Sequence, residues 1–79
     1  MIYHVYVLKS LKNGKSYVGF TRKSVQTRLA EHNEGKNAWT RSNGPFTLLC
    51  SEDYRSRKEA LLREKYLKTG AGRKFLKWF

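Results

Sequence analysis

Two strand-forming segments flank an Asn-Gly pair near the start of the chain. Ile2–Leu8 is β-branched and aromatic with little polar interruption, and a second segment of this kind runs from Ser16 to about Phe20. Between them, Asn13-Gly14 is the strongest short signal for a two-residue type I′ turn, in which both central residues adopt positive φ. The sequence therefore predicts an antiparallel β-hairpin in which Lys12 faces Lys15.

The register of this hairpin decides which side chains share a face. Continued outward, it gives the pairs Ser10 with Tyr17, Leu8 with Gly19, and Tyr6 with Thr21. Because alternate residues of a strand project to the same side, the phenols of Tyr6 and Tyr17 are predicted to be neighbours. Gly19 lies on the same face, where its missing side chain is expected to leave a shallow gap in which a ligand can approach the backbone.

The remaining patterns predict helices around a third strand. Ser24 is suited to cap a helix over about Val25–Glu34, with Gly35 as the left-handed residue after it. The polar stretch from Gly35 to Pro45 predicts an exposed loop. The later elements are expected to be a strand at Phe46–Cys50, a helix capped by Ser56 through about Lys68, a hinge at Gly70-Ala71-Gly72 and a short helix within Arg73–Phe79. This order predicts an α/β domain with a small antiparallel sheet.

Composition limits the partners of this domain. The chain carries 17 Lys and Arg against 6 Asp and Glu, a formal charge of +11, so a polyanion is the expected partner. An apolar content of 39% argues against a disordered polycation. The lone Cys50 excludes an internal disulfide and a Cys-rich zinc site.

Length and hydropathy give the expected organisation and location. With 79 residues, the chain is expected to form one domain over residues 1–79. No apolar run approaches the roughly 18 residues that span a bilayer, so a cytoplasmic location and no membrane partner are expected.

One acidic residue stands where an apolar side chain is expected. At about 100° per residue, Glu64 falls within a helical stripe formed by Ala60, Leu61 and Leu67. A carboxylate against a dry core costs several kcal/mol unless it is paired or bound to a metal. Either Glu64 anchors a metal ion, or the helix packs at its edge and Glu64 meets water or an arginine.

Taken singly, the other polar candidates have structural explanations. Arg28 and His32 lie four residues apart along one edge of the first helix, and each is common on a solvated surface. Together with Glu64 and the two phenols, they supply what phosphodiester hydrolysis needs. Glu64 can anchor magnesium, Arg28 can clamp a phosphate, His32 can relay a proton, and a tyrosine can act as base.

Several segments, in chain order, resemble the motifs of the GIY-YIG nuclease domain, from about Tyr3 to Lys68. They are His4-Val5-Tyr6, Tyr17-Val18-Gly19, Arg28–Asn33, Trp39-Thr40-Arg41, and Ser56–Leu61 followed by Glu64 and Lys68. His4 stands where the first motif has its glycine. The chain most resembles the small stand-alone bacterial members, which are related to the N-terminal nuclease domain of an excision-repair protein.

The resemblance implies a three-stranded antiparallel sheet flanked by helices, and a DNA endonuclease dependent on Mg²⁺ or Mn²⁺ with a role in repair or recombination. By position, Tyr6 and Tyr17 would orient or deprotonate the attacking water, and Gly19 would leave space beside them. Arg28 would stabilise the phosphate and His32 would assist proton transfer. The metal would be held by Glu64.

DNA, duplex or branched, is the expected substrate, and another protein is expected to supply target specificity. The residues expected to bind nucleic acid are Arg22, Lys23, Lys36, Trp39 and Arg41. The alternative function is a non-catalytic nucleic-acid-binding module that retains the fold and uses Trp39 as a stacking residue. A small protein-binding or ribosome-associated domain is a third interpretation.

Overall fold

The computed structural model describes residues 1–78. The prediction that the terminal helix includes Phe79 therefore lies outside the described residues. Over this range, one antiparallel sheet is flanked by four helices. The elements are β1 (Tyr3–Ser10), β2 (Ser16–Thr21), α1 (Val25–Asn33), α2 (Ala38–Asn43), β3 (Phe46–Tyr54), α3 (Arg57–Leu67) and α4 (Gly70–Leu76). The strand order is β2-β1-β3, which confirms the predicted α/β fold with a small three-stranded sheet.

The predicted hairpin register is wrong by two residues. β1 pairs Leu8 with Tyr17 and Tyr6 with Gly19. The turn is longer than the Asn-Gly pair suggested, because the backbone N–H of Ser10 donates to the carbonyl of Lys15 at 2.8 Å. A shift of two residues leaves every side chain on its predicted face, since the period of a strand is two.

Side-chain hydrogen bonds explain the longer turn. In the described chain only glycines have positive φ, and Gly14 is the one within this turn, at 74°. Asn13 therefore does not enter the left-handed region, and its Oδ1 instead accepts from the backbone N–H of Lys15 at 3.0 Å. The hydroxyl of Ser10 accepts from the N–H groups of Lys12 and Asn13, both at 3.1 Å. These bonds favour a four-residue loop over the type I′ turn.

Both faces of the sheet are covered, which explains why β1 is apolar almost throughout. One face carries a cluster of Val5, Val7, Val18, Ala60, Leu67 and Leu76, in which α3 and α4 supply the last three. The opposite face carries Tyr6, Leu8, Val25 and Phe46, with Leu29 of α1 packed against them. The sheet thus separates two small cores.

The predicted caps of the two longer helices are confirmed. The Ser24 hydroxyl accepts from the backbone N–H of Thr27 at 3.1 Å, and the Ser56 hydroxyl accepts from that of Glu59 at 3.2 Å. Gly35 follows α1 with a φ of 75°. These contacts satisfy backbone donors that the first turn of a helix leaves unpaired.

The prediction of an exposed loop over Gly35–Pro45 is wrong in its centre, where α2 forms. Asn37 caps this helix by accepting from the N–H of Thr40 at 2.8 Å. Thr40 is buried, and the Trp39 ring stacks on Phe46 with centroids 5.7 Å apart. The polar composition of this segment does not predict a helix. The aromatic contacts that hold it, from Trp39 to Phe46 and Tyr17, depend on the fold.

The hinge expected at Gly70-Ala71-Gly72 is also absent, because these residues form the first turn of α4. A Cβ on Gly72 would collide with the carbonyl oxygen of Tyr66 and the backbone of Leu67. Glycine is therefore required there for close helix packing, not for flexibility.

The third strand continues beyond its predicted end. β3 runs to Tyr54, and its polar second half pairs with the start of β1 through Tyr6 with Ser51 and Tyr3 with Tyr54. Backbone pairing with the central strand holds this segment, although its side chains are not apolar.

Among the described helices, none is long and apolar enough to cross a membrane.

Candidate active site

Tyr6 lies at the centre of the site, on the face of β1 that α1 covers. Its cross-strand partner is Gly19, and a Cβ at that position would collide with the Tyr6 ring and hydroxyl. The absent side chain therefore accommodates the phenol itself. The prediction that Gly19 leaves a gap for a ligand is wrong in this respect, because Tyr6 fills that space and extends across the edge strand β2.

His32 of α1 is the hydrogen-bond partner of Tyr6. The Tyr6 Oη and His32 Nε2 atoms are 2.9 Å apart, and both side chains are fully buried, at 0% and 2% exposed. Burial raises the pKa of Tyr6 above its ordinary value of 10.0, while the nearby Arg28 guanidinium opposes the rise. Burial and then the charge of Arg28 lower the pKa of His32 below 6.5. At neutral pH the pair is thus a neutral phenol and a neutral imidazole.

This pair is arranged for proton exchange. When the phenol donates to Nε2, the imidazole can take its proton while the phenol oxygen receives one from another group; when Nε2–H donates instead, the phenol O–H is free to donate elsewhere. The other ring nitrogen, Nδ1 of His32, is buried without a hydrogen-bond partner among the described residues. An unpartnered buried nitrogen costs stability, and such costs are commonly found at functional sites.

Arg28 stands one helical turn before His32 and is held in place by an acid. Its Nη1 donates to Glu31 Oε1 at 3.0 Å, and Lys23 donates to the other oxygen of the same carboxylate at 3.3 Å. The Arg28 side chain is 28% exposed. Because a guanidinium has five N–H donors, Arg28 retains donors for an anion beside Tyr6.

Glu64 belongs to α3, on the other face of the sheet, yet it acts on the same phenol. Burial is the main cause of the raised pKa of Tyr6, and the negative charge of Glu64 adds to it. The Glu64 side chain is 21% exposed, and Oε2 accepts from Lys68 Nζ at 3.3 Å. Glu64 therefore lies on the stripe between Ala60 and Leu67 as predicted. It is at the solvent-exposed edge of that stripe, where it pairs with Lys68.

Tyr17 continues the site outward as part of an aromatic row. Its ring centroid is 4.7 Å from that of His32 and 6.4 Å from that of Tyr6. On its other side lies Trp39, at 5.5 Å. The predicted proximity of the two phenols is thus present, with Tyr6 bonded to His32 and Tyr17 lying between the imidazole and Trp39.

Comparison with known proteins identifies this arrangement. The model of the GIY-YIG catalytic domain matches residues 2–75, nearly the whole chain. The chain belongs to the GIY-YIG family. Family membership makes it a member of a group of DNA nucleases and confirms the resemblance drawn from the motifs.

Relatives of similar size share most of this GIY-YIG domain. A UPF0213 protein of Halobacterium salinarum is 43% identical over 68 residues, covering 85% of this chain and 86% of the relative. A UPF0213 protein of Staphylococcus haemolyticus is 37% identical over 76 residues, covering 95% and 90%. The solution NMR structure of a UPF0213 protein from Bacillus halodurans superposes with a TM-score of 0.59 at 34% identity, covering 96% of this chain and 82% of that one.

The five residues predicted to bind nucleic acid have different neighbours in this GIY-YIG domain. Lys23 pairs with Glu31, and Lys36 Nζ lies 3.6 Å from Glu34 Oε2. Arg41 packs its aliphatic stem near Gly35. Arg22 is exposed beside β2, and Trp39 is 38% exposed while packed in the aromatic row. Pairing with nearby acids reduces the charge that two of these lysines can offer to a phosphate.

Two residues of the first-helix motif have contacts that sequence reasoning did not assign. Glu31 holds Arg28, and its spacing of three from Arg28 is the signal that could have found it. Asn33 binds the start of β3, because its Oδ1 accepts from the N–H of Phe46 at 2.7 Å and its Nδ2 donates to the carbonyl of Phe46 at 3.3 Å. No local pattern could have indicated that second contact.

His4, at the position of the family's first motif glycine, has a partner on β3. Its Nδ1 lies 2.7 Å from Asp53 Oδ1. The side chain is thus turned toward the strand on the side of β1 opposite to Gly19. The departure from glycine is accommodated by this cross-strand pair.

The chemistry of the site fits a magnesium or manganese ion held by one carboxylate. Across residues 1–78, no three His, Cys, Asp or Glu side chains gather into a cluster that could enclose a metal. Mg²⁺ commonly takes one or two protein carboxylates and completes its shell with water and phosphate oxygens. Glu64, partly exposed and electrostatically coupled to Tyr6, has the chemistry and the access for that role.

Proposed function

We propose that this protein is a metal-dependent endonuclease that hydrolyses phosphodiester bonds of DNA, with Tyr6, Tyr17, Arg28, His32 and Glu64 as its active-site residues. The observation that carries the proposal is the buried hydrogen bond between Tyr6 and His32, with the Arg28 guanidinium beside the phenol. A binding module has no need for a neutral phenol and imidazole in direct contact beneath an arginine.

The role of each group follows from its charge and neighbours. A water molecule attacks phosphorus and a new P–O bond forms, while the bond to the leaving sugar oxygen breaks; that oxygen keeps the bonding electron pair and takes a proton from solvent water. The proton of that water passes to the Tyr6 and His32 pair, since Tyr6 is the phenol bonded directly to the imidazole. Arg28, held by Glu31, neutralises the negative charge that grows on the phosphate oxygens.

The other two residues organise this chemistry. Glu64 would hold the metal ion, which would supply positive charge to the phosphate and make the attacking water more acidic. Tyr17 packs against the His32 ring and fixes its orientation, while Gly19 lets the Tyr6 ring reach across β2. The proposal thus gives Gly19 a positioning role and not a ligand-binding one.

The proposed function can be tested by DNA cleavage with Mg²⁺ or Mn²⁺, comparing Glu64→Gln with Glu59→Gln. Both residues lie on α3, but Glu59 is exposed in the first turn, where glutamine also serves as a capping partner. We expect Glu64→Gln to lose about 100-fold or more in cleavage rate, while Glu59→Gln retains the wild-type rate. Cleavage that is equal in both variants, or that persists in EDTA, would contradict the metal assignment.

From the family we also propose a role in repair or recombination, with another protein supplying target specificity. A comparison of duplex, single-stranded and branched DNA in the same assay measures the substrate preference of the isolated chain. Cleavage restricted to branched DNA supports a repair or recombination role. DNA binding without any cleavage would instead favour the non-catalytic binding module.

A further inference from the structure

A basic groove lies beside the candidate active site, away from the cations that the sequence had suggested. Its wall is formed by the β1–β2 turn and by α4, and its cations are Lys9, Lys15, Arg73 and Lys77. Leu76, only 7% exposed, lies in its apolar floor. The cavity has a volume of about 710 Å³. We call it the α4 groove.

The four cations of the α4 groove have no acidic partner among residues 1–78, whereas Lys23, Arg28 and Lys36 near α1 each pair with a glutamate. Within residues 1–78, no carboxylate lies within 4.0 Å of the charged nitrogens of Lys9, Lys15, Arg73 or Lys77. No acidic residue lines the groove. Four unpaired charges around one concave surface concentrate positive potential there, because low-dielectric walls focus the field.

The groove is continuous with the active site. A second cavity of about 390 Å³ shares Ser16, Trp39, Arg73 and Leu76 with it and is also lined by Tyr17. Tyr17 also packs on the ring of the buried His32, so this second cavity joins the groove to the outer edge of the active site. An anionic chain bound at the active site can therefore extend into the groove without leaving the surface.

The size of the groove selects among anionic ligands. Cavities of roughly 300–1,000 Å³ hold single drug-sized molecules, so the α4 groove accommodates a few nucleotides of one strand and not both strands of a duplex. An apolar floor beneath a row of cations suits the sugars and phosphates of such a strand.

We infer that the α4 groove binds the backbone phosphates of one DNA strand as that strand leaves the active site. The inference rests on the proposed function, because it takes DNA as the substrate and Tyr6 as the place of cleavage. The groove cations determine how tightly the strand is held and do not take part in bond breaking.

The test is a charge-removal variant, Lys15→Gln/Arg73→Gln/Lys77→Gln. Its matched control is Arg57→Gln/Lys58→Gln/Lys65→Gln, which removes the same number of charges from exposed positions of α3. Binding of a fluorescein-labelled single-stranded oligothymidylate of about 15 nucleotides is measured by anisotropy in EDTA over a range of salt concentrations. All six side chains belong to exposed residues, and circular dichroism confirms that each variant is folded.

The groove variant is expected to bind at least about tenfold more weakly, with a log–log salt slope smaller in magnitude by about 2, since each phosphate contact on a single strand contributes roughly 0.7. The control should shift affinity by no more than about threefold. Equal losses in both variants would mean that only net charge matters and would overturn the inference, as would wild-type binding by the groove variant.

Failure of the inference and failure of the proposed function give different results, because binding in EDTA does not require cleavage. If the wild type does not cleave DNA but the groove variant alone loses affinity, the groove stands and the nuclease proposal falls. If the wild type cleaves DNA and the groove variant keeps its affinity, the nuclease proposal stands and the groove inference falls. In an active enzyme the groove variant should raise KM about tenfold and leave kcat unchanged.

Discussion

The two faces of the sheet are buried to the same degree but are built from different chemistry. Along β1, Val5 and Val7 are 1% exposed on the face covered by α3 and α4, and Tyr6 is 0% exposed on the face covered by α1. The buried cluster of the first face is apolar, whereas the second face buries a phenol against an imidazole whose Nδ1 has no partner in the described chain. Burial therefore does not distinguish the stabilising core from the site, and polar content does.

The two faces also meet at one place, the edge strand β2. Gly19 lets the Tyr6 ring cross that strand, and Glu64 of the opposite layer is electrostatically coupled to the same phenol. An arrangement of this kind needs both layers to be correctly packed before the site is complete. We therefore expect that catalysis and stability can be separated by variants on the two faces, but only while the fold is intact.

The largest expected effect is that of Tyr6→Phe, which keeps the ring and removes the hydroxyl. Cleavage should fall about 100-fold or more, equivalent to about 3 kcal/mol of lost transition-state stabilisation. The free energy of unfolding should fall by only about 1 kcal/mol, the value of one hydrogen bond. The measurements are cleavage rate and urea denaturation.

The matched change on the other face is Val7→Ala. It should lower the free energy of unfolding by about 2 kcal/mol through lost burial and a cavity, and the folded variant should cleave within about threefold of the wild type. The comparison between the faces would break if Val7→Ala removed activity at temperatures where it is folded, or if Tyr6→Phe left activity intact.

The next effect concerns how α4 is held on the apolar face. Gly72→Ala should lower the free energy of unfolding by about 2–3 kcal/mol, because its Cβ would strike the backbone of α3, which cannot yield as a side chain can. Gly70→Ala is the control, since no atom lies within 4 Å of a Cβ at that position, and it should raise stability by about 0.5–1 kcal/mol. Urea midpoints of the two variants that do not differ would show that α4 is not docked as described.

The smallest effect is a pH dependence that arises on the site face. Since burial, then Arg28, lowers the pKa of His32 in the folded protein, the unfolded chain takes up a proton first as pH falls below the ordinary value of 6.5. Stability from this group is fully present above that pH and is lost progressively below it, until the folded imidazole also protonates. We expect the free energy of unfolding, measured by urea denaturation, to fall as the pH decreases from about 6.5 to 5.5.

The control for this dependence is His32→Gln, which cannot titrate. Its stability should change less than that of the wild type over the same interval. The carboxylates of Glu31 and Glu52 do not explain the slope, because the pKa of each lies below 4.5. Arg28 chiefly lowers that of Glu31, and for Glu52 burial raises the pKa but hydrogen bonds from Arg63 and Tyr54 outweigh it. An identical slope in both proteins would remove His32 as its source.

Much of the fold was predictable because its signals are local. Ser24, Gly35 and Ser56 mark helix ends through bonds within one turn, and the apolar run of β1 identifies a strand covered on both sides. The turn was mispredicted because Ser10 and Asn13 formed side-chain hydrogen bonds that compete with the type I′ geometry. The correct period still placed Tyr6 and Tyr17 on one face, since a two-residue shift preserves it.

The sequence by itself determined the order of the three strands and of α1, α3 and α4, the family motifs and the residue types of the candidate site. Only the tertiary structure decided that the Tyr6 ring occupies the space at Gly19, that α2 forms around Thr40, and which cations are neutralised. The physical reason is that pairing depends on distances in the folded chain: Lys23 and Lys36 lie beside glutamates, whereas among residues 1–78 no ion pair involves Lys15 or Arg73. Cations that look alike in the sequence thus differ in the folded protein in whether an acid pairs with them.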